Sequence, residues 1–171
     1  MSESIQLSYP LSRTLWRKFF SAHYQNDSGL KWCAVLGALC IAISFVGFAN
    51  YYPSRLVANL LFASGLFGLS SKHLLIFIAV HKASCHPFFE QQLTVTITEL
   101  EISVRSGQKG YSQPWDNFNG YRQYDIGFAL YHDRHAFFFI PASAMSTQQQ
   151  HDLQLRLDAC ALPLLEADHL F

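Results

Sequence analysis

The side chains that could carry chemistry in this chain are histidines, cysteines and aspartates. His132 and His135 flank a polar turn, and His81 and His86 lie just after a long apolar run. Histidine nitrogens bind metal ions, but a zinc site needs three or four converging ligands with supporting hydrogen bonds. No such cluster can be assembled from neighbouring residues. We therefore expect exposed and interfacial histidines rather than a metal site.

The four cysteines are Cys33, Cys40, Cys85 and Cys160, and no two of them have CxxC or other ligand spacing. Two of the four lie inside an apolar run, where a thiol behaves as a small apolar group. We interpret all four as reduced, which is compatible with a soluble part in the cytoplasm.

Three aspartates, Asp116, Asp125 and Asp133, lie in predicted turns. Carboxylates in turns commonly accept hydrogen bonds from nearby backbone N–H groups, so we expect turn chemistry rather than general-acid roles. Nucleophile-elbow, P-loop, HExxH and dinucleotide-binding motifs are absent from the sequence. The sequence therefore predicts a non-catalytic protein without a cofactor, and an enzyme remains the minority alternative.

The elements that must position these residues start with two long apolar runs, residues 32–51 and 56–80. A bilayer core of roughly 30 Å needs about 20 apolar residues in a helix. The first run has that length without one charge, and it starts too late for a signal peptide. The second contains Lys72, which we place near the cytoplasmic interface, with residues 74–80 emerging from that interface or lying along it. A helix hairpin buried in a soluble protein is the alternative.

Positive charges near the ends of spans set their orientation. The connecting turn carries only Arg55, whereas the other ends carry six basic residues: Arg13, Arg17, Lys18, Lys31, Lys72 and Lys82. We therefore expect a multi-pass protein of the bacterial inner membrane with both termini in the cytoplasm.

Small residues show how the two spans could pack, because they let helix backbones approach closely in lipid. Ala34, Ala38 and Ala42 form a ridge on the first span, and Ser64 with Gly68 forms a notch on the second. This pattern predicts a close antiparallel hairpin. It would serve equally as a dimerisation face, so a homo-oligomer is an alternative.

The N-terminal segment contains an amphipathic helix at residues 12–25, aromatic on one side and basic on the other. It could lie in the membrane surface, or its aromatic face could pack on the soluble domain. The preceding Ile5, Leu7 and Tyr9 alternate like a short strand that could add to that domain's sheet.

After the spans, alternating apolar residues predict antiparallel strands at residues 92–98, 100–104, 111–115, 118–124, 126–131 and 136–140. Ser146 and Gln149 have capping-box spacing and begin a helix that ends near Pro163. We expect an α+β module in which one C-terminal helix caps a bent antiparallel sheet or partial barrel.

Aromatic residues of this module are expected to form its core, with Trp115, Phe118 and Phe128 among them. Residues 137–139 are all phenylalanine, so this strand is apolar on both faces. The second face must meet the C-terminal helix, the membrane or a partner.

Length and charge limit the organisation to three parts: residues 1–31 as a cytoplasmic strand and helix, 32–80 as a transmembrane hairpin, and 87–171 as a cytoplasmic module. The 171 residues leave no room for a second soluble domain, and half of them are hydrophobic. Twelve basic and twelve acidic residues give no basic footprint for nucleic acid.

The module also resembles a known family. The TVTITEL strand, the PWDNF turn with Trp115, the ALYHDRHAFFFIP hairpin ending at Pro141 and the following Ser-initiated helix are similar to the YcxB-like bacterial membrane proteins. That resemblance implies a pleckstrin-homology-like module behind two spans, and it implies no established activity.

The leading hypothesis is an inner-membrane protein whose cytoplasmic module docks an unknown protein partner or the head-group surface, with the lipid bilayer as its other partner. The alternative is a small accessory subunit that packs through Ala38 and Gly68 against a larger membrane complex.

Overall fold

The structure is a computed structural model that describes residues 4–51, 55–86, 88–133 and 136–165. The connecting turn at 52–54, His135 and the last six residues of the predicted module lie outside this description. The elements, in chain order, are β1 Ile5–Pro10, α1 Arg13–His23, α2 Ser28–Val46, α3 Arg55–Ser84, β2 Gln92–Ile97, β3 Glu101–Ser106, β4 Lys109–Pro114, β5 Gly120–Tyr124, β6 Gly127–Tyr131, β7 Phe137–Pro141 and α4 Thr147–Ala159.

The strands form two antiparallel sheets, one in the order β1-β2-β3-β4 and one in the order β5-β6-β7. The predicted helix at the end of the module is present as α4. The sheet is not one continuous bent layer, and no barrel closes within the described residues, because a 3₁₀ turn at Trp115–Asn117 separates β4 from β5.

The N-terminal strand belongs to the first sheet, as the alternation of Ile5, Leu7 and Tyr9 predicts. β1 pairs with β2 along its whole length, from Ile5 opposite Ile97 to Pro10 opposite Gln92. The two apolar helices are therefore inserted between neighbouring strands of one sheet, so the chain leaves this sheet and returns to it at the same end.

The three-stranded sheet is buried on both faces, because every residue of β6 is buried. Phe128, Leu130 and Ile140 face a first core that they share with the four-stranded sheet and α4. Ala129, Tyr131 and Phe139 face a second core that they share with α1 and α3. The sheet is thus a central layer between two cores.

α1 begins at the N-cap Ser12, whose hydroxyl accepts a hydrogen bond from the Leu15 N–H. Its aromatic face packs on the module: Phe19 is fully buried, with ring centroids 4.7 Å from Phe137 and 4.6 Å from Phe139. The aromatic face of α1 thus packs on the module, as one of the two alternatives predicts.

The two apolar helices match the predicted runs in length and composition. A π-helical turn at Gly47–Tyr51 continues α2, and the stretches Ser28–Ala49 and Arg55–Ser84 are each long and apolar enough to cross a membrane. Only 17% and 11% of their most apolar windows are buried inside the protein. This exposure is unlike the core helices of a soluble protein.

α2 and α3 meet through glycines rather than through the predicted alanine ridge. A Cβ atom on Gly37 would lie 2.8 Å from the Gly65 carbonyl oxygen, and one on Gly68 would lie 2.8 Å from the Cys33 carbonyl oxygen. Ala38 and Ala42 are exposed. Of the predicted notch, Gly68 is a contact and is confirmed, whereas Ser64 is exposed. The alanine ridge was wrong, because only a residue without Cβ allows this close approach.

α4 begins with the predicted capping box, in which Ser146 and Gln149 satisfy each other's backbone N–H groups. Leu153 and Leu157 are fully buried in the first core. Beyond the helix, the chain returns along the edge of β5, where the Tyr121 N–H donates to the Pro163 carbonyl oxygen at 3.0 Å.

Candidate functional site

A polar groove lies on the β3–β4 hairpin. Its volume is about 590 Å³, and its lining residues are Ser103, Arg105, Gly107, Gln108, Lys109, Gly110, Tyr111 and Ser112. The hairpin turns at Gly107, whose φ of +58° lies in the left-handed region that glycine adopts without strain. β4 is at the end of the strand order, and five of its six residues are exposed.

The hairpin is fixed to the segment that returns from α3. The Ser106 hydroxyl donates to the Gln91 side-chain oxygen at 2.7 Å, and the Tyr111 ring lies 6.1 Å from the Phe88 ring. Because Thr94 pairs with Arg105, the hairpin turn is at the same sheet end as Pro10 and Gln92. The groove is therefore held at the end of the module from which the apolar helices depart.

The chemistry of the groove is that of an anion site on a strand edge. Arg105 and Lys109 supply exposed cations, and Ser103 and Ser112 bring their hydroxyls within 2.7 Å of each other. The Tyr111 hydroxyl is protonated at neutral pH and can donate a hydrogen bond, and burial raises its pKa further. Arg105 lies on the same sheet face as Ser103 and Ser112, whereas Lys109 lies with Tyr111 on the other face. Cations and hydroxyl groups of this kind have the chemistry to bind an anion.

A second polar cluster lies in the core between α1 and the three-stranded sheet. His23 Nδ1 is 2.9 Å from the Tyr124 hydroxyl and 3.3 Å from the Tyr131 hydroxyl, and the two hydroxyls are 3.1 Å apart. The pKa of His23 is lowered to about 4, chiefly by burial and also by the nearby Arg122, although Asp27 acts in the opposite direction. His23 is therefore neutral at physiological pH and bonds α1 to the sheet.

Among the described residues, which do not include His135, no group of three potential metal ligands converges. His132 stacks on Phe118 with ring centroids 4.2 Å apart, and its Nδ1 is 3.0 Å from the Asn117 carbonyl oxygen. The His86 Nδ1 accepts a hydrogen bond from the Phe88 N–H. His81 is exposed near the end of α3.

The predicted turn aspartates are exposed, and Asp133 accepts a hydrogen bond from the Ala136 N–H at 2.8 Å, as turn chemistry requires. All four cysteines are free thiols. Asp116 and Asp125 lie in the connections before and after β5.

The aromatic residues are core residues, as predicted for Trp115 and Phe118. The Trp115 indole N–H donates to the Thr98 carbonyl oxygen at 3.1 Å. Phe138 packs against the first core and Phe137 with Phe139 against the second. The second face of this strand thus meets α1, which was not among the three expected neighbours.

Sequence reasoning found the glycine turn at 107–110 but not the groove beside it. The signal was present, since Arg105 and Lys109 flank the turn in a module that is otherwise acidic. His23 gave no signal, because its partners Tyr124 and Tyr131 lie about a hundred residues away in sequence.

Fold and groove together define a small α+β module attached to an apolar helical hairpin. Residues 97–155 match the model of a protein family described as YcxB-like protein. This match runs from the end of β2 into α4 and covers about a third of the chain, and it confirms the YcxB-like resemblance there. No curated protein and no solved structure matches the chain.

Proposed function

We propose that the chain is a non-catalytic, two-span protein of the bacterial inner membrane whose cytoplasmic module docks a protein partner. Both termini then lie in the cytoplasm, and the module is the pleckstrin-homology-like part that the YcxB-like resemblance implies. Membrane insertion is supported by the large exposed apolar surface of α2 and α3, which water would solvate poorly.

Charge supports the same arrangement, because it divides sharply along the chain. Residues 1–86 contain seven basic residues (Lys and Arg) and two acidic residues (Asp and Glu). Residues 87–171 contain five basic and ten acidic residues. Basic residues beside spans favour the cytoplasmic side and the anionic head groups. The acidic module is repelled by the same head groups, which favours a protein as the partner of its exposed surface.

The groove on the β3–β4 hairpin carries the docking proposal. It places two of the module's five Lys and Arg residues beside an exposed edge strand. An extended segment can add to such an edge through main-chain hydrogen bonds while its side chains contact the groove. Arg105 and Lys109 select an acidic segment of the partner. Gly110 and Pro114 limit pairing to the middle of β4, so the interaction is short and reversible.

The experiment is recovery of crosslinked partners from membranes that contain the full-length protein. Replacing Arg105 and Lys109 with Gln removes two charges from the groove and should abolish recovery of the partner. The control replaces Gln6 and Gln92 with Glu, which changes the net charge equally at exposed sites on β1 and β2. Equal recovery from both variants would overturn the groove as the docking site. Substitution is preferable to deleting residues 87–171, because deletion also removes the partner strand of β1.

The alternative of an accessory subunit acting through the hairpin is favoured by one observation: Ala38 is exposed on α2 and free of the contact with α3. Gly68 is already used inside the hairpin. Ala38→Leu should therefore disrupt assembly with a larger complex while leaving the module folded. An unchanged complex would favour docking through the module.

A further inference from the structure

The edge of β5 that does not pair with β6 is occupied by the chain's own residues 162–165, which we call the strap. The Tyr121 N–H donates to the Pro163 carbonyl oxygen at 3.0 Å, and the Leu165 N–H donates to the Tyr121 carbonyl oxygen at 2.8 Å. These two bonds form a parallel bridge that adds one more extended segment to the order β5-β6-β7. The strap therefore lies on this edge as an added strand would.

The β5 edge is shaped for the close approach of a second backbone. A Cβ atom on Gly120 would lie 2.7 Å from the Pro163 carbonyl oxygen and 2.9 Å from the Leu165 side chain. Glycine inside a strand often marks a place where another backbone or a ligand comes close. The Arg122 Nε also donates to the Leu165 carbonyl oxygen at 3.2 Å. Both features act on main-chain atoms, so the edge can accept an extended segment from another chain.

The side chains of the strap show which sequence fits this edge. Leu162 packs against the first core and Leu165 against the second, and both are half-buried. Pro163 and Leu164 between them are exposed. Proline has no N–H, so pairing with β5 starts at its carbonyl group and the register is fixed. The sequence that fits is therefore an apolar residue, a proline, any residue and a second apolar residue.

Partial burial and a strained turn weaken the hold of the module on the strap. Both leucine anchors keep part of their surface in water, so the apolar area that closure buries is small. The chain reaches the strap through Ala161, whose φ of +51° lies in the left-handed region that disfavours alanine. Release of the strap frees Ala161 from this conformation. A partner segment without such a turn can therefore compete for the edge.

We propose that the β5 edge is a second docking site of the module, that it binds an extended apolar segment of a protein partner, and that the strap is its exchangeable occupant. The partner segment adds to β5 in place of residues 162–165. Its two apolar side chains take the positions of Leu162 and Leu165, and one of its carbonyl oxygens accepts from Arg122. The strap makes the site autoinhibited, because a partner must displace it. This edge belongs to the other sheet from the groove on the β3–β4 hairpin, so either site can fail without the other.

The experiment measures, by fluorescence anisotropy, binding of a labelled peptide with the sequence of residues 161–166 to the full-length protein in detergent. A strap-ejected variant carries Leu162→Ser and Leu165→Ser, which remove both apolar anchors and keep the chain length. This variant should bind the peptide about tenfold more tightly than the unmodified protein, in which the strap leaves only a minor fraction of the edge open. The same two serines placed in the peptide should abolish binding. Adding Gly120→Ala to the variant should weaken binding to the level of the unmodified protein.

Amide hydrogen exchange at Tyr121 provides the positional readout, since this N–H bonds to the strap. Exchange at Tyr121 should be fast in the strap-ejected variant and slow again with the peptide, while the amides of β6 stay protected in both states. Equal peptide affinity of the variant and the unmodified protein, or binding that leaves Tyr121 exchange unchanged, would overturn the site. Loss of β6 protection in the variant would also overturn it, because the strap would then be an obligatory part of the fold. None of these results affects the groove.

Discussion

Phe19 joins the N-terminal helix to the module, and its removal should loosen the three-stranded sheet. The ring is fully buried and lies within 5 Å of the Phe137 and Phe139 rings, measured between centroids. Truncating such a buried phenylalanine to alanine costs about 3–5 kcal/mol, out of about 5–15 kcal/mol for a typical domain. A loss of about 4 kcal/mol corresponds to roughly a thousandfold increase in the population of the opened state.

The assay is native-state hydrogen exchange of the β7 amides in the detergent-solubilised full-length protein. Phe19→Ala should increase their exchange rates by about three orders of magnitude, because exchange follows the opening equilibrium. Phe77→Ala removes the same atoms at an exposed position and should change these rates less than about tenfold. If Phe19→Ala also changed them less than about tenfold, α1 would not be part of the module's core.

Three further predictions concern single side chains. His23 is neutral when folded because its pKa is lowered to about 4. The stability that this neutral state contributes is therefore fully present above the unfolded pKa of about 6.5. As the pH drops to 4, the free energy of unfolding should fall by about 2 kcal/mol, after allowance for partial exposure, and denaturation series should show a smaller fall for His23→Gln. Gly65→Leu should separate α2 from α3 and abolish a disulfide crosslink engineered between them, whereas Ala38→Leu should leave that crosslink intact. Gly120→Ala should release the chain at 163–165 from β5 and speed its proteolysis, because the new Cβ would lie 2.7 Å from the Pro163 carbonyl oxygen; unchanged proteolysis would contradict this contact.

Local periodicity was enough to predict most elements of the module. The β2 prediction differed from the structure by one residue, because Thr94 and Thr96 alternate with buried Leu93 and Val95 over the whole strand. The capping box at Ser146 was correct because both of its partners lie within one turn of the helix.

Relations between distant segments could not be predicted in the same way. The division into two sheets depends on a single 3₁₀ turn at Trp115–Asn117, which looks like any polar turn in sequence. The choice of Gly37 and Gly65 over Ala38 depends on helix rotation, and both stripes have similar spacing. The second core unites α1 with β7, and no local pattern identifies which apolar faces will meet.

The route of the chain makes the helical hairpin part of the folding of the first sheet. β1 and β2 are neighbours, yet about 80 residues separate Pro10 from Gln92, and closing so long a flexible loop costs about 4 kcal/mol of entropy. When α2 and α3 are already packed through Gly37 and Gly65, α1 and the end of α3 lie side by side and bring the two strand ends together. The packed helices then offset most of the entropy lost on closing the loop. The first sheet should therefore form after the hairpin. A displacement of α3 relative to α2 also reaches β1 and β2 directly, because no flexible linker separates α1, whose Phe19 is buried, from the preceding strand β1.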